Sequence, residues 1–174
     1  LKENLDAIER LRPDAAPRVF ARVPDTVSAI RSALRTEWLD VVHDVAITEA
    51  LCSELGIDGV RDVNAEAIRS ALASPLLKSI WEGAVKLFGL TPGGVLRWTP
   101  QFWNQLYRDC GTLGWDAASG CVVGEGIPQS MVSSRAWLEG LAGAVNGVVE
   151  LCGVKGRVTA ETPSPGRAVF KVPR

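Results

Sequence analysis

Ser134–Cys152 is the stretch that most narrows the folds open to this chain. Leu138, Leu141, Ala142, Val145, Val148, Val149 and Cys152 recur at three- and four-residue steps, which places them on one face of a helix. Gly140, Gly143 and Gly147 fall on the opposite side, in one narrow stripe when each residue advances the helix by about 100°. A glycine inside a helix costs about 1 kcal/mol against alanine, so three on one stripe predict a second backbone close by. The helix is therefore expected to be buried on two sides. Its apolar face should lie on a sheet, and its glycine stripe should form an interface with either another helix of the same chain or a second subunit. Ser133 or Ser134 supplies a cap at its start, and Gly153 stands where a left-handed C-terminal cap belongs.

Two short strand pairs flank this helix. Leu113–Ala117 pairs with Gly120–Gly124 before it, and Val154–Ala160 pairs with Ala168–Val172 after it, giving a ββαββ unit. Everything upstream reads as helix or connection. Lys2–Leu11 carries Leu5, Ile8 and Leu11 on one side and stops at Arg12-Pro13; Ala15–Val23 reads as a linker around Pro17, anchored by Val19 and Phe20. Thr26–Arg35 follows Pro24-Asp25. Thr36 is placed to cap a helix running to Leu55 that turns Trp38, Val41, Val42, Val45 and Cys52 inward and ends at Gly56. Ile57–Val63 is read as a connection, Asn64 as the cap of a short helix Ala65–Ala73, and Ser74-Pro75 as the start of another that ends at Gly89. Pro92-Gly93-Gly94 breaks the chain before a last helix, Thr99–Cys110. The expectation is one α+β domain spanning residues 1–174, in which N-terminal helices (residues 1–110) pack on a C-terminal ββαββ unit (residues 111–174) with a four-stranded antiparallel sheet.

With 47% hydrophobic and 22% charged residues in 174, the chain is long and apolar enough to bury a sizeable core. A net charge of −1 and a pI near 5.9 give none of the sequence-wide basic field on which non-specific nucleic-acid binding relies. No run of about 18 apolar residues exists, so no membrane span is expected. A chain that begins at Leu1 rather than Met is expected to be a piece of a longer one. Cys52, Cys110, Cys121 and Cys152 form no Cys-x-x-Cys pair, and three of them fall on or beside apolar helix faces; buried reduced thiols are expected, as in a cytoplasmic protein.

Few residues invite a chemical reading. His43 is the single histidine, so a zinc site lacks partners, and a general base there would stand alone. Asp40 and Asp44 share the four-residue spacing of a metal-binding pair, but the same spacing is common on wet helix faces, and a solvated face accounts for them. Ser133-Ser134-Arg135 is read as a helix cap beside a surface arginine, and Pro92-Gly93-Gly94 lacks the lysine and the preceding strand of a phosphate loop. Six tryptophans are more informative. Trp81, Phe88, Trp103, Tyr107 and Trp137 fall where helices are expected to meet the sheet and are the candidate ligand-binding residues, lining a cleft for a small apolar molecule.

A helical N-terminal half followed by strand, strand, helix, strand, strand resembles the fold shared by haem NO-binding domains, 4-vinyl-reductase-like hydrocarbon-binding domains and the small TRAPP transport subunits. More closely, SPLLKSIWEGAVKLFGLTP (Ser74–Pro92), WNQLYRDCGTLGW (Trp103–Trp115) and RAWLEGLAGAVNGVVELCG (Arg135–Gly153) resemble an uncharacterised paralogous family abundant in myxobacteria. Haem-binding members use an axial histidine and a Tyr-x-Ser-x-Arg motif. Here the single tyrosine, Tyr107, is followed by Arg108-Asp109-Cys110, and His43 lies far upstream, so the resemblance implies no haem and no other cofactor. Some hydrocarbon-binding relatives carry clustered C-terminal cysteines, where this chain has Cys152 alone. The resemblance implies a non-enzymatic sensory module that binds a small hydrophobic ligand between helices and sheet and signals to a partner. The alternative it implies is a ligand-free adaptor or homodimerisation module.

Overall fold

The computed structural model describes residues 1–34, 37–72 and 75–173; the side chains of 75–77, 79, 80, 84 and 88 lie outside that description. The helical half runs α1 Lys2–Leu11, α2 Ala16–Arg22, α3 Pro24–Ser32, α4 Val42–Leu72, α5 Pro75–Phe88, α6 Pro92–Leu96 and α7 Thr99–Leu106. The mixed half runs β1 Thr112–Asp116, β2 Cys121–Glu125, α8 Gln129–Ser133, α9 Arg135–Leu151, β3 Thr159–Ser164 and β4 Arg167–Lys171. The strands form one antiparallel sheet in the order β1-β2-β4-β3, so the two predicted hairpins join edge to edge through β2 and β4, with Val122 opposite Phe170. The expected α+β class and ββαββ unit are what the chain adopts.

The central packing is α9 between the sheet and α4. Ala142, Val145 and Val149 join Val122, Val158 and Phe170 in one core on the sheet side. On the other side the glycine stripe meets α4 of the same chain. A Cβ on Gly143 would lie 2.6 Å from Arg61 Cα, one on Gly147 3.0 Å from Ala65 Cα, and one on Gly140 3.0 Å from Asn64 Nδ2. Of the two interfaces open to the stripe, the structure forms the intramolecular one, and all three glycines are buried in it. A second core holds α1, α2 and α3 on α4 through Leu5, Ile8, Val19, Ile30, Leu51 and Val60.

Several boundaries differ from the sequence reading, each for a local reason. Ala15–Val23 is largely helix rather than linker, because Pro17 sits in the first turn of α2, where its missing N–H costs nothing. Gly56 does not end the helix. It takes φ 69° as a kink, and α4 resumes at once because Val60 and Val63, at 0% and 4% exposure, continue the apolar face. Asn64 therefore lies inside a helix and donates to the Val60 carbonyl at 2.9 Å. Trp38 and Val42, expected inward, are 51% and 52% exposed, since the helix begins only at Val42; Thr36, the expected cap, lies outside the described residues. Pro92-Gly93-Gly94 opens the short helix α6, capped by Thr91, whose hydroxyl accepts from Gly94 N at 3.1 Å. Residues 154–158 are irregular, and β3 starts at Thr159.

One charged side chain is enclosed by the α4–α9 contact. Arg61, its side chain 8% exposed, donates to Glu139 and to the Val158 carbonyl, both at 2.6 Å, and so ties α4 to α9 and to the approach of β3. Arg61→Met keeps the apolar stem but leaves both acceptors without a donor. It is expected to lower the unfolding free energy by about 2 kcal/mol, read from the urea midpoint.

Candidate functional site

Against the sheet-side core lies a pocket of about 330 Å³, lined by residues of α1, of α4, of α6 and α7 with Tyr107, and of α9, with Leu113 of β1 as the contribution of the sheet. It is thus mainly an interhelical space rather than the helix–sheet cleft expected. Its long sides are apolar: Ile68, Leu72, Leu96, Phe102, Val145 and Val148 are among the lining residues.

Asp44 is among the residues lining that space and is 4% exposed. Its Oδ2 accepts from Tyr107 Oη at 2.7 Å and from Trp137 Nε1 at 2.9 Å; its Oδ1 accepts from Asn4 Nδ2 at 3.3 Å. Burying a carboxylate is costly unless it is hydrogen-bonded or paired. These donors meet part of that cost, and the position of Asp44 in the first turn of α4 adds the favourable field of the helix N-terminus. Among the described residues no Lys or Arg nitrogen lies within 4 Å of it. The solvated-face reading of Asp44 is therefore corrected, whereas Asp40 is exposed and accepts from Val42 N at 2.9 Å at the helix start.

The rings beside Asp44 form one cluster. Trp103 stacks on Tyr107 with centroids 4.2 Å apart, and Trp137 meets them edge-on at 6.4 and 6.5 Å. Trp103 Nε1 donates to the Gly111 carbonyl at 3.2 Å, which fixes α7 to the start of β1. Ser134 caps α9 through Trp137 N at 3.2 Å, which sets the indole at the first turn, where it reaches Asp44. Three of the five ligand-binding candidates, Trp103, Tyr107 and Trp137, thus come together on the cavity wall. Trp81 packs against the sheet-side core and is not among the described lining residues, and the Phe88 side chain lies outside the described residues. Phe102, another aromatic of α7, also lines the site, as do Asn4, which the sequence did not single out, and Asp44, which it offered only as half of a metal-binding pair.

Burial pushes the Tyr107 phenol well above its ordinary range, and the adjacent Asp44 charge and hydrogen bond push it further. The unfolded phenol ionises near pH 10 and the folded one later, so between those values the unfolded chain binds fewer protons and stability falls as pH rises. Because Tyr107 is the single tyrosine, its phenolate absorbance isolates this event. The absorbance is expected to appear only together with loss of helical circular dichroism. Phenolate forming near pH 10 in a chain that is still fully helical would contradict the arrangement.

Other reactive groups are quiet. Burial, followed by Asp109, Asp40 and Asp44, raises the Cys110 thiol, the reverse of an activated nucleophile, and all four cysteines are free. His43 Nδ1 lies 3.2 Å from Thr26 Oγ1 and is not among the cavity residues. Among the described residues no group of three or more His, Cys, Asp or Glu could hold a metal, and no helix is long and apolar enough to cross a membrane.

No family model matches the sequence, and no curated protein matches it. A solved structure from work probing the function of haem distortion in the H-NOX family superposes over 97% of this chain and 88% of its own, with a TM-score of 0.56 at 11% identity. At that identity the likeness is one of fold. It bears out the expected resemblance to the haem NO-binding architecture across nearly the whole chain.

Proposed function

We propose that this chain is a non-enzymatic sensory module that binds one small, largely apolar molecule in the cavity between α1, α4, α7 and α9. The observation that carries the reading is the cavity itself: about 330 Å³ with predominantly apolar walls and the buried carboxylate of Asp44 among its lining, within the size range of small-molecule sites. The likeness to an H-NOX family structure, described in work on haem distortion, supports a ligand-binding reading at the level of fold. Two of the stretches that resemble the myxobacterial paralogous family, Trp103–Trp115 and Arg135–Gly153, supply much of the wall, so membership of that family belongs to the proposal.

Haem does not fit this donor set. The described cavity wall offers neither histidine nor cysteine, and its one tyrosine keeps its proton through burial and donates a hydrogen bond to Asp44. Glu3, Asp6 and Asp44 on the same wall would repel propionates. The ligand is therefore held by packing and by the Asp44 end. Signalling follows from the weakest contact there: Asn4 reaches Asp44 at 3.3 Å and is the one donor from α1, so a molecule that engages Asp44 shifts α1 most readily.

Native mass spectrometry of the purified chain, followed by organic extraction, reads this directly. The expected result is a single added mass that extracts as an apolar molecule and is absent from Ala144→Phe, which fills the cavity from α9. A folded, ligand-free dimer with the same mass in both proteins would favour the adaptor reading instead.

A further inference from the structure

We infer that the molecule this cavity selects is an apolar amine, with a protonated nitrogen at the Asp44 end and a hydrocarbon body along the α4–α9 walls. The inference rests on the ligand-binding reading above and assigns the chemistry of the head group. The first ground is charge. Asp44 is enclosed with neutral donors alone among the described residues; Oδ2 takes two of them and Oδ1 a single long one, which leaves Oδ1 the under-used acceptor of a group with about four lone-pair sites. An ammonium adds a second donor to Oδ1 and a positive charge, and beside a buried carboxylate that attraction is less screened than in water.

The second ground is the aromatic cluster. Trp103, Tyr107 and Trp137 all border the cavity beside that carboxylate, and ring faces attract a cation that has been removed from water. A carboxylate beside an aromatic cluster is complementary to an ammonium and unfavourable for a fatty acid or a phosphate ester. The third ground is the rest of the wall. Its charged residues are Glu3, Asp6 and Asp44 against Arg10, and Arg10 is already engaged by Ser70 at 2.9 Å and Glu66 at 4.0 Å. An anionic ligand would meet three acids and one occupied base, whereas a cationic one is drawn in.

Three probes with one chain length separate the possibilities: octylammonium, octanol and octanoate, titrated against tryptophan emission of the full chain at physiological ionic strength and below micelle formation. Octylammonium is expected to bind at least about tenfold more tightly than octanol, with octanoate weakest. Asp44→Asn, which keeps an acceptor oxygen for Tyr107 and Trp137, is expected to abolish that preference, so that octylammonium and octanol bind the variant within about threefold of one another. Octylammonium binding no better than octanol, or a preference that survives Asp44→Asn, would overturn the head-group assignment and leave the apolar cavity standing. Binding of none of the three by the wild-type chain would overturn the ligand-binding reading itself. The wild-type ratio decides the matter even if the variant does not fold.

Discussion

Gly143→Ala is expected to destabilise the chain by about 3 kcal/mol, against a gain of about 1 kcal/mol that alanine brings to an ordinary helix position. The added methyl would stand 2.6 Å from Arg61 Cα and closer still to its carbonyl oxygen, both backbone atoms of α4 that cannot rotate away. Relief requires α9 and α4 to separate, which loosens the Arg61 contacts to Glu139 and Val158 and the apolar contacts on either side of the stripe. Gly140→Ala is the internal control. Its methyl meets the side-chain atoms Asn64 Nδ2 and Val60 Cγ1 at 3.0 and 3.3 Å, which yield by small rotations, so its cost should stay under about 1 kcal/mol. Urea unfolding of the two single variants checks the order. Equal effects at both positions would mean that the close approach is not centred on Gly143.

The second large effect is expected at Asp44. Asp44→Ala removes the acceptor of Tyr107 Oη, Trp137 Nε1 and Asn4 Nδ2 together. A buried donor left unsatisfied costs about 1–3 kcal/mol, while loss of a buried carboxylate and entry of water from the adjoining cavity return some of it, for a net loss of about 2–4 kcal/mol. The value that identifies the mechanism is the coupling. Tyr107→Phe alone should cost about 1 kcal/mol, and adding it to Asp44→Ala should cost almost nothing further, because the orphaned hydroxyl is gone. Strict additivity in that double-mutant cycle would show that the 2.7 Å contact carries no energy.

The features of the fold that were legible are those where one residue type has one physical use. The glycine stripe and the apolar face of α9 require two packed sides, and the structure provides the sheet on one and α4 on the other. The alternating segments around Trp115, Val122 and Phe170 became paired strands in the expected ββαββ order. Helix boundaries were less legible because Gly56 and Pro92, both stop signals, are used as a kink and as a first-turn residue.

The head of the site was not legible for a different reason. Asp44 follows Asp40 at a spacing typical of wet faces, and what makes it interior is Tyr107 and Trp137, 63 and 93 residues away in sequence. The nearest local signal was its setting, with Val41, Ile47 and Thr48 at helical neighbour positions, a largely apolar surround that a solvated carboxylate does not need. Trp103, Tyr107 and Trp137 do meet on the cavity wall, because large rings cluster at element junctions.

A crystal structure of the chain under xenon pressure tests the central claim most directly, because an apolar cavity binds the gas without any assumption about the natural ligand. The account predicts xenon between α4 and α9, in contact with Leu72, Leu96, Val145 and Val148, with Asp44 still bonded to Tyr107 and Trp137. Those four side chains packed against one another, with no xenon between them, would contradict it.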